Sequence, residues 1–404
     1  MLRVLLSIAA LGSTVAVLHA QPDPSRPPPT VTTTRQQPRS QRPWRVGPSP
    51  QLVIGAEGAE REPFDNIRGV VRQSNGQIVV ANMGASALQF FAPDGRFAKS
   101  AGRQGAGPGE FQQLFALDLG PADSLMAYDV VQGFHVYDPA GRYVRTIKYS
   151  RDPRTPARVW PVGWFASGSL VAARPPRRDG AAGRWVDSMT FYHADSNGNL
   201  GPWLFRYPSF EFAGGGRFGP ALVAFGPSLS AAVWPQRYCI GFSARYEIAC
   251  GAPGSAPTLL IRHRATPVEV SPSSIARFKE ITRALPMEGG GPVPEKLKAQ
   301  REALLESTVF AARQPYFARF LPADDGALWV ERYQIEEGMP RSDFRQDILS
   351  GPTTWDVFNP SGAWLATVVL PARFRPFQIG ADFVLGVRLD PDDVEEVVLF
   401  ALQH

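Results

Sequence analysis

Short apolar runs separated by polar turns recur along the chain from about residue 51 to its end. The runs read IVV, LMA, LVA, CIG, LWV and FVL, and a turn precedes each of them. Short runs bounded by turn residues are typical of strands in antiparallel sheets. The six turns are Asn75-Gly76, Asp123-Ser124, Ser167-Gly168, Gln236-Arg237, Asp325-Gly326 and Gly380-Ala381. They predict six successive copies of one antiparallel unit, and a seventh, hidden copy is the alternative.

A second kind of turn follows the third run of three copies. Its sequences are FAPDGRF at Phe91–Phe97, YDPAGRY at Tyr137–Tyr143 and FNPSGAW at Phe358–Trp364. Proline fixes one backbone angle and glycine supplies a positive one, so the chain can turn tightly into a fourth strand. Each copy is therefore predicted to be a four-stranded meander.

A glycine-rich loop provides the clearest repeat. Gly55, Gly58 and Phe64 recur 47 residues later as Gly102, Gly105 and Phe111. A fixed period of this length indicates a repeat architecture. The second copy, GAGPGEF, lacks the Lys-Ser/Thr pair of a phosphate-binding loop and opens no helix, so we do not interpret it as a nucleotide site.

The longest interval between turns, from the fourth to the fifth, predicts two helices. Ser271-Pro272 is a helix start, and Ile275, Phe278, Ile281 and Leu285 follow at helical spacing. A second helix is predicted from Pro294 to about Ser307. The pair is interpreted as an insertion at about residues 271–312 within the repeat domain.

The last copy is one strand short. It supplies runs near Phe374–Ile379, Phe383–Leu389 and Val394–Leu402 before the chain ends at His404, while Gln51–Ile54 precedes the first loop without a sheet of its own. Pairing Gln51–Ile54 with the last copy would satisfy an open edge. The predicted fold class is all-β: a six-bladed β-propeller over residues 51–404, with an N-terminal strand closing the last blade and a short two-helix insertion.

The N-terminal region predicts export. Arg3 precedes an apolar run from Val4 to Leu18, and Ala20 offers a cleavage site, so residues 1–20 are interpreted as a signal peptide and the protein as periplasmic or secreted. A single membrane anchor is the alternative, although the run is shorter than a bilayer requires. No later run is apolar enough to span a membrane.

The positive charge lies outside the repeat domain. Of the formal net charge of +5, Arg3 contributes one and residues 21–50 contribute four, so residues 51–404 are neutral. A neutral domain lacks the basic surface of a nucleic-acid-binding protein. Residues 21–50 are rich in Pro and Arg and poor in apolar side chains, which predicts a disordered linker.

Two cysteines, Cys239 and Cys250, lie on adjacent runs around a turn at residues 243–245. In a hairpin their sulfur atoms could face one another, and an oxidising compartment favours a disulfide between them. Two buried free thiols are the alternative.

The segments GAGPGEF at Gly105–Phe111, the Pro-x-Gly turns and DDGALWV at Asp324–Val330 resemble the NHL-type and TolB-like six-bladed propellers of exported bacterial proteins. The resemblance covers residues 51–404 and implies the propeller fold. It does not fix a function, because such families include binding modules, scaffold proteins, lyases and lactonases.

Catalytic chemistry finds little support in the sequence. The mature histidines, His135, His193, His263 and His404, fall in third or outer strands or at the terminus, so a His-rich metal centre is not predicted. Oxygen ligands for a lactonase-type metal would have to come from Asn66, Asn82, Asp129 and Asp390, which share no pattern among the copies. No cofactor, metal site or catalytic residue is assigned, and a metal-dependent lactonase or lyase is the alternative function.

A recognition surface is the favoured interpretation. Arginines stand at or near the start of four first strands, and further arginines and tryptophans follow in the third copy; the candidate binding residues are Arg68, Arg158, Arg319, Arg375, Arg174, Arg177, Arg178, Arg184 and Trp160. Guanidinium groups bind carboxylates and phosphates through paired hydrogen bonds, which suggests an anionic glycan, a peptide or an envelope protein as partner. The alternatives are ion pairs with carboxylates such as Glu331, Glu336 and Asp343, and interblade packing of Trp160, Trp164 and Trp185.

Overall fold

Six mainly antiparallel sheets make up the described part of the protein in a computed structural model. The structure describes residues 30–34, 37–39, 44–55, 64–149, 159–174, 183–214, 219–285, 293–335 and 348–404. The predicted signal peptide lies outside these residues. Each of the six turns identified in the sequence connects the first and second strands of one sheet, so the prediction of six blades is confirmed.

Each blade contains four or five strands in the described part of the chain. Blade 1 contains Ile67–Arg72, Ile78–Asn82, Ala87–Phe91 and Phe97–Ala101; blade 2 contains Leu114–Leu119, Leu125–Asp129, Gly133–Tyr137 and Tyr143–Ile147; blade 3 contains Val159–Phe165, Gly168–Ala173, Gly183–Asp195, Leu200–Gly214 and Ala221–Leu222. Blade 4 contains Leu229–Trp234, Arg237–Phe242, Glu247–Gly251, Leu259–Arg262 and Thr30–Thr33; blade 5 contains Phe317–Pro322, Leu328–Arg332, Thr353–Phe358 and Trp364–Leu370; blade 6 contains Phe374–Ile379, Phe383–Leu389, Glu395–Gln403, Leu52–Ile54 and Arg45–Val46.

The ring is closed by the N-terminal strand, as predicted. Leu52–Ile54 runs antiparallel to the third strand of blade 6, with Ile54 opposite Val397 and Leu52 opposite Leu399. Arg45–Val46 pairs with the end of the same strand. The N-terminal and C-terminal segments are thereby hydrogen bonded into one sheet, in which the third strand of blade 6 has a partner on both sides.

The linker prediction needs correction at two places. Thr30–Thr33 forms a parallel fifth strand on Leu259–Arg262 of blade 4, and Arg45–Val46 belongs to blade 6, whereas the sequence suggested disorder throughout residues 21–50. The physical reason is that an edge strand offers unpaired backbone N–H and C=O groups, which pair with a segment whatever its side chains. Threonine also suits extended backbone.

The core consists of apolar clusters between neighbouring blades. Every junction of the ring has such a cluster, because each strand presents alternate side chains to the blade on either side. One pair of members per junction, beginning between blades 1 and 2, is Phe90 with Leu117, Phe134 with Trp164, Phe191 with Tyr238, Ile248 with Phe358, Trp355 with Phe400, and Leu385 with Val80.

The repeated glycine-rich loop has a packing explanation. Gly102 has a φ of +83° and lies against the Phe111 ring, where a Cβ atom would be 2.5 Å from Cε2. Gly55, with a φ of +90°, lies against Phe64 in the same way, at 2.7 Å. The repeat therefore preserves a glycine because an aromatic ring packs on the backbone at that position.

Two helices, α1 (Pro272–Ala284) and α2 (Glu295–Ser307), lie between blades 4 and 5, as predicted. The Ser271 hydroxyl caps α1 by accepting a hydrogen bond from the Ser274 backbone N–H at 3.1 Å. Phe278 of α1 packs edge-on against Phe225 and Phe310. Within the described residues, neither helix nor any other is long and apolar enough to cross a bilayer.

The predicted disulfide is present. Cys239 and Cys250 stand opposite one another on the second and third strands of blade 4, and their sulfur atoms are 2.06 Å apart. Both residues are buried in the cluster shared with blade 5.

Candidate functional site

The first strand of each blade is the innermost one. First strands of adjacent blades contact one another, including those of blades 5 and 6, of blades 6 and 1, and of blades 1 and 2. Arg68, Arg319 and Arg375 all lie near the beginning of their first strands. We call the corresponding end of the ring the arginine end. Because blades 5, 6 and 1 are consecutive, these three arginines occupy one continuous arc of it.

β-Bulges position two of the three arginines. The ladder of blade 1 passes from Ile67 opposite Asn82 to Gly69 opposite Ala81, so Arg68 is the extra residue. Arg319 lies within the bulge of blade 5, between Phe317 and Phe320. A bulge redirects a side chain that regular pleating would send into a blade interface. The Arg68 guanidinium then lies 5.5 Å from the ring centre of Phe115, itself a bulged residue of blade 2.

Arg319 is held in place by a buried carboxylate. Its Nε donates a hydrogen bond of 2.6 Å to Glu331 Oε2, and the guanidinium carbon lies 5.1 Å from the ring centre of Trp355. Glu331 is fully buried, so Arg319 compensates its charge. Of the alternatives weighed from the sequence, pairing with a local carboxylate therefore applies to Arg319. The other two carboxylates considered, Glu336 and Asp343, lie outside the described residues.

The electrostatics at Arg68 differ. Burial lowers the pKa of the Arg68 guanidinium, and the nearby Glu395 carboxylate opposes that shift. Burial in turn raises the pKa of the Glu395 carboxyl, one oxygen of which accepts a hydrogen bond from the Ile67 backbone N–H at 2.8 Å. The positive charge at Arg68 is thus partly desolvated, which strengthens its attraction for an anion.

The remaining candidate binding residues belong to the third copy, and the structure describes only some of them. Arg158, Arg177 and Arg178 lie outside the described residues. Arg174 follows the second strand of blade 3, and its guanidinium carbon lies 5.2 Å from the Phe210 ring centre. Trp160 is 36% exposed on the first strand of blade 3.

Trp164 and Trp185 pack against other aromatic rings. Trp164 meets Phe134 of blade 2 edge-on at 4.7 Å, and Trp185 stacks on Phe212 at 5.8 Å. Interblade packing is therefore confirmed for Trp164, whereas Trp185 packs within blade 3, on its cross-strand neighbour.

The sequence did not predict a hairpin arm in blade 3. The chain is a β-strand from Gly183 onward. The second strand of blade 3 pairs only with Thr190–Asp195, whereas Gly183–Val186 lies beyond it and pairs with Glu211–Gly214. An ion pair between Arg184 and Glu211, 2.8 Å long, joins the arm's two strands. The extra length became possible because two strands satisfy each other's backbone groups without help from the blade.

The arm and the helices meet on the side of blades 3 and 4. Ala213 of the arm belongs to one apolar cluster with Phe225 and with Ile275 and Phe278 of α1. Ile335, which follows the second strand of blade 5, joins the same cluster. Second strands end where first strands begin, so this cluster stands beside the arginine end and forms a wall on one side of it.

A buried polar network was also missed. Arg332 donates two hydrogen bonds, of 2.9 and 2.8 Å, to the Asp356 carboxylate, and the Tyr246 hydroxyl donates to the same carboxylate at 2.8 Å. His263 Nε2 lies 4.0 Å from Asp356, and its Nδ1 is hydrogen bonded to the Thr34 hydroxyl at 2.9 Å. Burial raises the pKa of Tyr246 and lowers that of His263. The network joins blades 4 and 5 to Thr34, which follows the strand Thr30–Thr33, and only the fold brings its members together.

A single carboxyl group stands out on the first strand of blade 2. Asp118 is an exposed residue, but the protein atoms around its carboxyl group desolvate that group and raise its pKa to about 6. It lies opposite Met126, the middle residue of the apolar run of its blade. In the other five blades the residue opposite the middle of the run is apolar: Val71, Pro161, Ala231, Leu321 and Ile379.

The oxygen ligands considered for a metal have structural partners. Both Asp129 oxygens accept two backbone N–H groups each, from Gln112 and Gln113 and from Val131 and Gln132, at 2.7 to 2.8 Å. Asp390 and Asn82 accept backbone N–H groups in their own turns. In the part of the chain that the structure describes, no three His, Cys, Asp or Glu side chains are grouped to hold a metal ion.

Residues 57–157 match the profile of a protein family described as a 6-bladed beta-propeller, DUF5128. The match spans blades 1 and 2 of the described fold and agrees with the six sheets. No curated protein matches the sequence.

Three solved bacterial proteins are among those similar to this chain. A protein of Bacteroides fragilis described as exported is 12% identical, with a TM-score of 0.49 and coverage of 93% of this chain and 99% of its own. A DUF4221 family member from Bacteroides vulgatus is also 12% identical, with a TM-score of 0.49 and coverage of 90% and 99%. A gluconolactonase from Xanthomonas campestris is 10% identical, with a TM-score of 0.38 and coverage of 89% and 100%.

Proposed function

We propose that this protein is an exported binding module that recognises an anionic ligand at the arginine end of its propeller. The observation that carries the proposal is the pair Arg68 and Arg375 on the innermost strands of adjacent blades, next to Arg319, whose own charge is matched by Glu331. The arm and the helical insertion support it, because together they wall one side of the same end.

The chemistry of the arc favours carboxylate or phosphate. A planar guanidinium presents paired N–H donors that match these anions. The attraction between the two charges is stronger where water is partly excluded. Arg68 is such a group, since burial lowers its pKa, and a bound anion would restore the stability of its charged form. Phe115 and Phe377, which lie 5.5 and 4.8 Å from the guanidinium carbons of Arg68 and Arg375, provide apolar surface beside the charges.

Binding of an acidic and a neutral trisaccharide tests the proposal. We expect the protein to bind trigalacturonic acid in preference to maltotriose by isothermal titration calorimetry. The double substitution Arg68→Ala and Arg375→Ala should weaken binding of the acid by about tenfold or more, equivalent to about 1.4 kcal/mol. Arg319 is left intact because its removal would strand the buried Glu331 charge.

Arg96→Ala is the matched control. Arg96 lies in the turn before the outer strand of blade 1, is 82% exposed and pairs with Asp94, so its loss should not change binding. Equal affinity for the two saccharides, or unchanged binding by the double variant, would contradict the proposal. Hydrolysis of a lactone that depends on an added divalent metal would instead support the enzyme alternative.

A further inference from the structure

A cavity opens at the opposite end of the ring, where the first strands end. Its volume is about 360 Å³, and residues from blades 5, 6, 1 and 2 line it: Arg72, Gln73, Ser74, Leu119, Asp123, Asp324, Gln378 and Phe383. Arg72 ends the strand on which Arg68 stands near the beginning, so the two sites are separated by the length of that strand. The size falls within the range of small-molecule sites.

Hydrogen bonds to blade 2 fix Gln73 in the wall of the cavity. The residue is 3% exposed, and its Nε2 donates to the carbonyl oxygens of Asp123 at 3.2 Å and Pro139 at 3.0 Å. Because both partners are acceptors, the amide orientation is fixed. Gln73 Oε1 is buried and has no hydrogen-bond partner among the described residues. Because that oxygen has almost no accessible surface, it is not a contact for a ligand, and Gln73 lines the cavity through its other atoms.

Arg72 provides a positive charge without a carboxylate partner in the described ranges of the chain. Its guanidinium carbon lies 4.8 Å from the ring centre of Phe383, which also lines the cavity. Gln378 fixes the backbone beside it by accepting from the Arg72 N–H at 2.6 Å. The guanidinium remains available to a carboxylate that enters the cavity.

Acidic groups complete the lining. Asp324 accepts a hydrogen bond from Gln378 Nε2 at 3.2 Å, and burial raises the pKa of its carboxyl. Asp123 accepts hydrogen bonds from both the backbone N–H and the hydroxyl of Ser74. Asp324 thus supplies an acceptor in the same cavity in which Arg72 supplies a positive charge.

We propose that this cavity binds a small zwitterion of the amino-acid or dipeptide type, with its carboxylate at Arg72 and its ammonium group at Asp324. Leu119 and Phe383 would accommodate an apolar side chain. The site is independent of the arginine end, whose proposed ligand carries only negative charge.

Calorimetry with glycyl-L-leucine and with its C-terminal amide tests this inference on the full-length protein. We expect the free acid to bind about tenfold more tightly than the amide, because only the acid carries the charge that pairs with Arg72. Arg72→Met, which keeps the aliphatic stem, should abolish that preference. Asp324→Asn should weaken binding of both compounds and retain the preference for the acid.

Arg142→Met serves as the matched control, since Arg142 is 83% exposed in an outer turn of blade 2 and should leave both affinities unchanged. The inference is overturned if neither compound binds at 10 mM, roughly the weak limit of a specific small-ligand site. It is equally overturned if the wild-type protein does not distinguish acid from amide, or if Arg72→Met still does. Should Arg72→Met fail to fold, the test is the preference of the wild-type protein for the acid over the amide, together with weaker binding of both compounds by Asp324→Asn.

Discussion

At Gly102 an added methyl group would lie 2.5 Å from Phe111 Cε2, in a backbone conformation with a φ of +83°. Phe111 is fully buried between blades 1 and 2, so its ring cannot move aside. Gly102→Ala therefore combines overpacking with left-handed strain and should lower the free energy of unfolding by about 3 kcal/mol or more. Urea denaturation followed by intrinsic fluorescence measures the loss.

Gly254→Ala separates strain from packing. Gly254 also has a positive φ, +70°, but no described atom lies within 4 Å of the position that its added methyl group would take, so only the conformational cost of about 1 kcal/mol applies. If the two variants lose the same free energy of unfolding, the contact between Gly102 and the Phe111 ring does not contribute to stability. The packing explanation of the repeated loop would then fail.

His135 predicts a pH dependence of stability. The residue is fully buried between Phe111 and Tyr143, neither ring nitrogen has a hydrogen-bond partner among the described residues, and burial lowers its pKa below 6.5. The unfolded chain then binds a proton more readily than the folded one, so stability is complete above pH 6.5 and declines as the pH falls below it. His135→Phe should reduce the loss of unfolding free energy between pH 7.5 and 5.5.

His404→Phe is the control for that measurement, because His404 is an exposed residue at the chain terminus. Its pH profile should follow that of the wild-type protein. A profile of His135→Phe that parallels the wild type would assign the acid sensitivity elsewhere, with His263 the next group to replace, since burial also lowers its pKa.

At the scale of elements, the sequence predicts what local chemistry determines. Turns such as Asn75-Gly76 and the capped helix start at Ser271-Pro272 lie where expected, because Gly, Pro and Ser fix the backbone over two to four residues. The Pro-x-Gly turns also serve packing: a methyl group at Gly141 would lie 2.4 Å from Phe90 of the preceding blade. Local turn chemistry and interblade packing therefore select the same residue.

Features that depend on distant partners could not be predicted. The arm of blade 3 exists because two strands continue pairing beyond the sheet, and the strand Thr30–Thr33 exists because blade 4 offers a free edge. At the candidate site, the sequence placed arginines near strand starts, but neither the bulge at Arg68 nor the buried partner of Arg319 has a local signature. The cavity at the opposite end joins four blades, so no single repeat reveals it.

At the scale of the whole molecule, the fold depends on joining its two ends. Each blade packs on two neighbours, and the junction between blades 6 and 1 includes Ile54 of the N-terminal strand together with Val397 and Leu399. Without that strand the last blade would expose an edge and part of an apolar cluster. Closure at this junction also sets the spacing of Arg375 and Arg68, which stand on its two sides.

Two truncated chains test this dependence. A chain that begins at Gln51 keeps Leu52–Ile54 and loses the strands Thr30–Thr33 and Arg45–Val46, together with the Thr34–His263 hydrogen bond and the packing of Trp44, so we expect a measurable loss of stability. A chain that begins at Glu57 also loses the strand, and with it the burial of Ile54 and Leu52, which is worth about 3 kcal/mol or more. Its denaturation midpoint should fall well below that of the longer chain, and size-exclusion chromatography should show association through the open edge. Equal midpoints and a monomeric shorter chain would mean that the ring holds together without its closing strand, since both chains share every other blade contact.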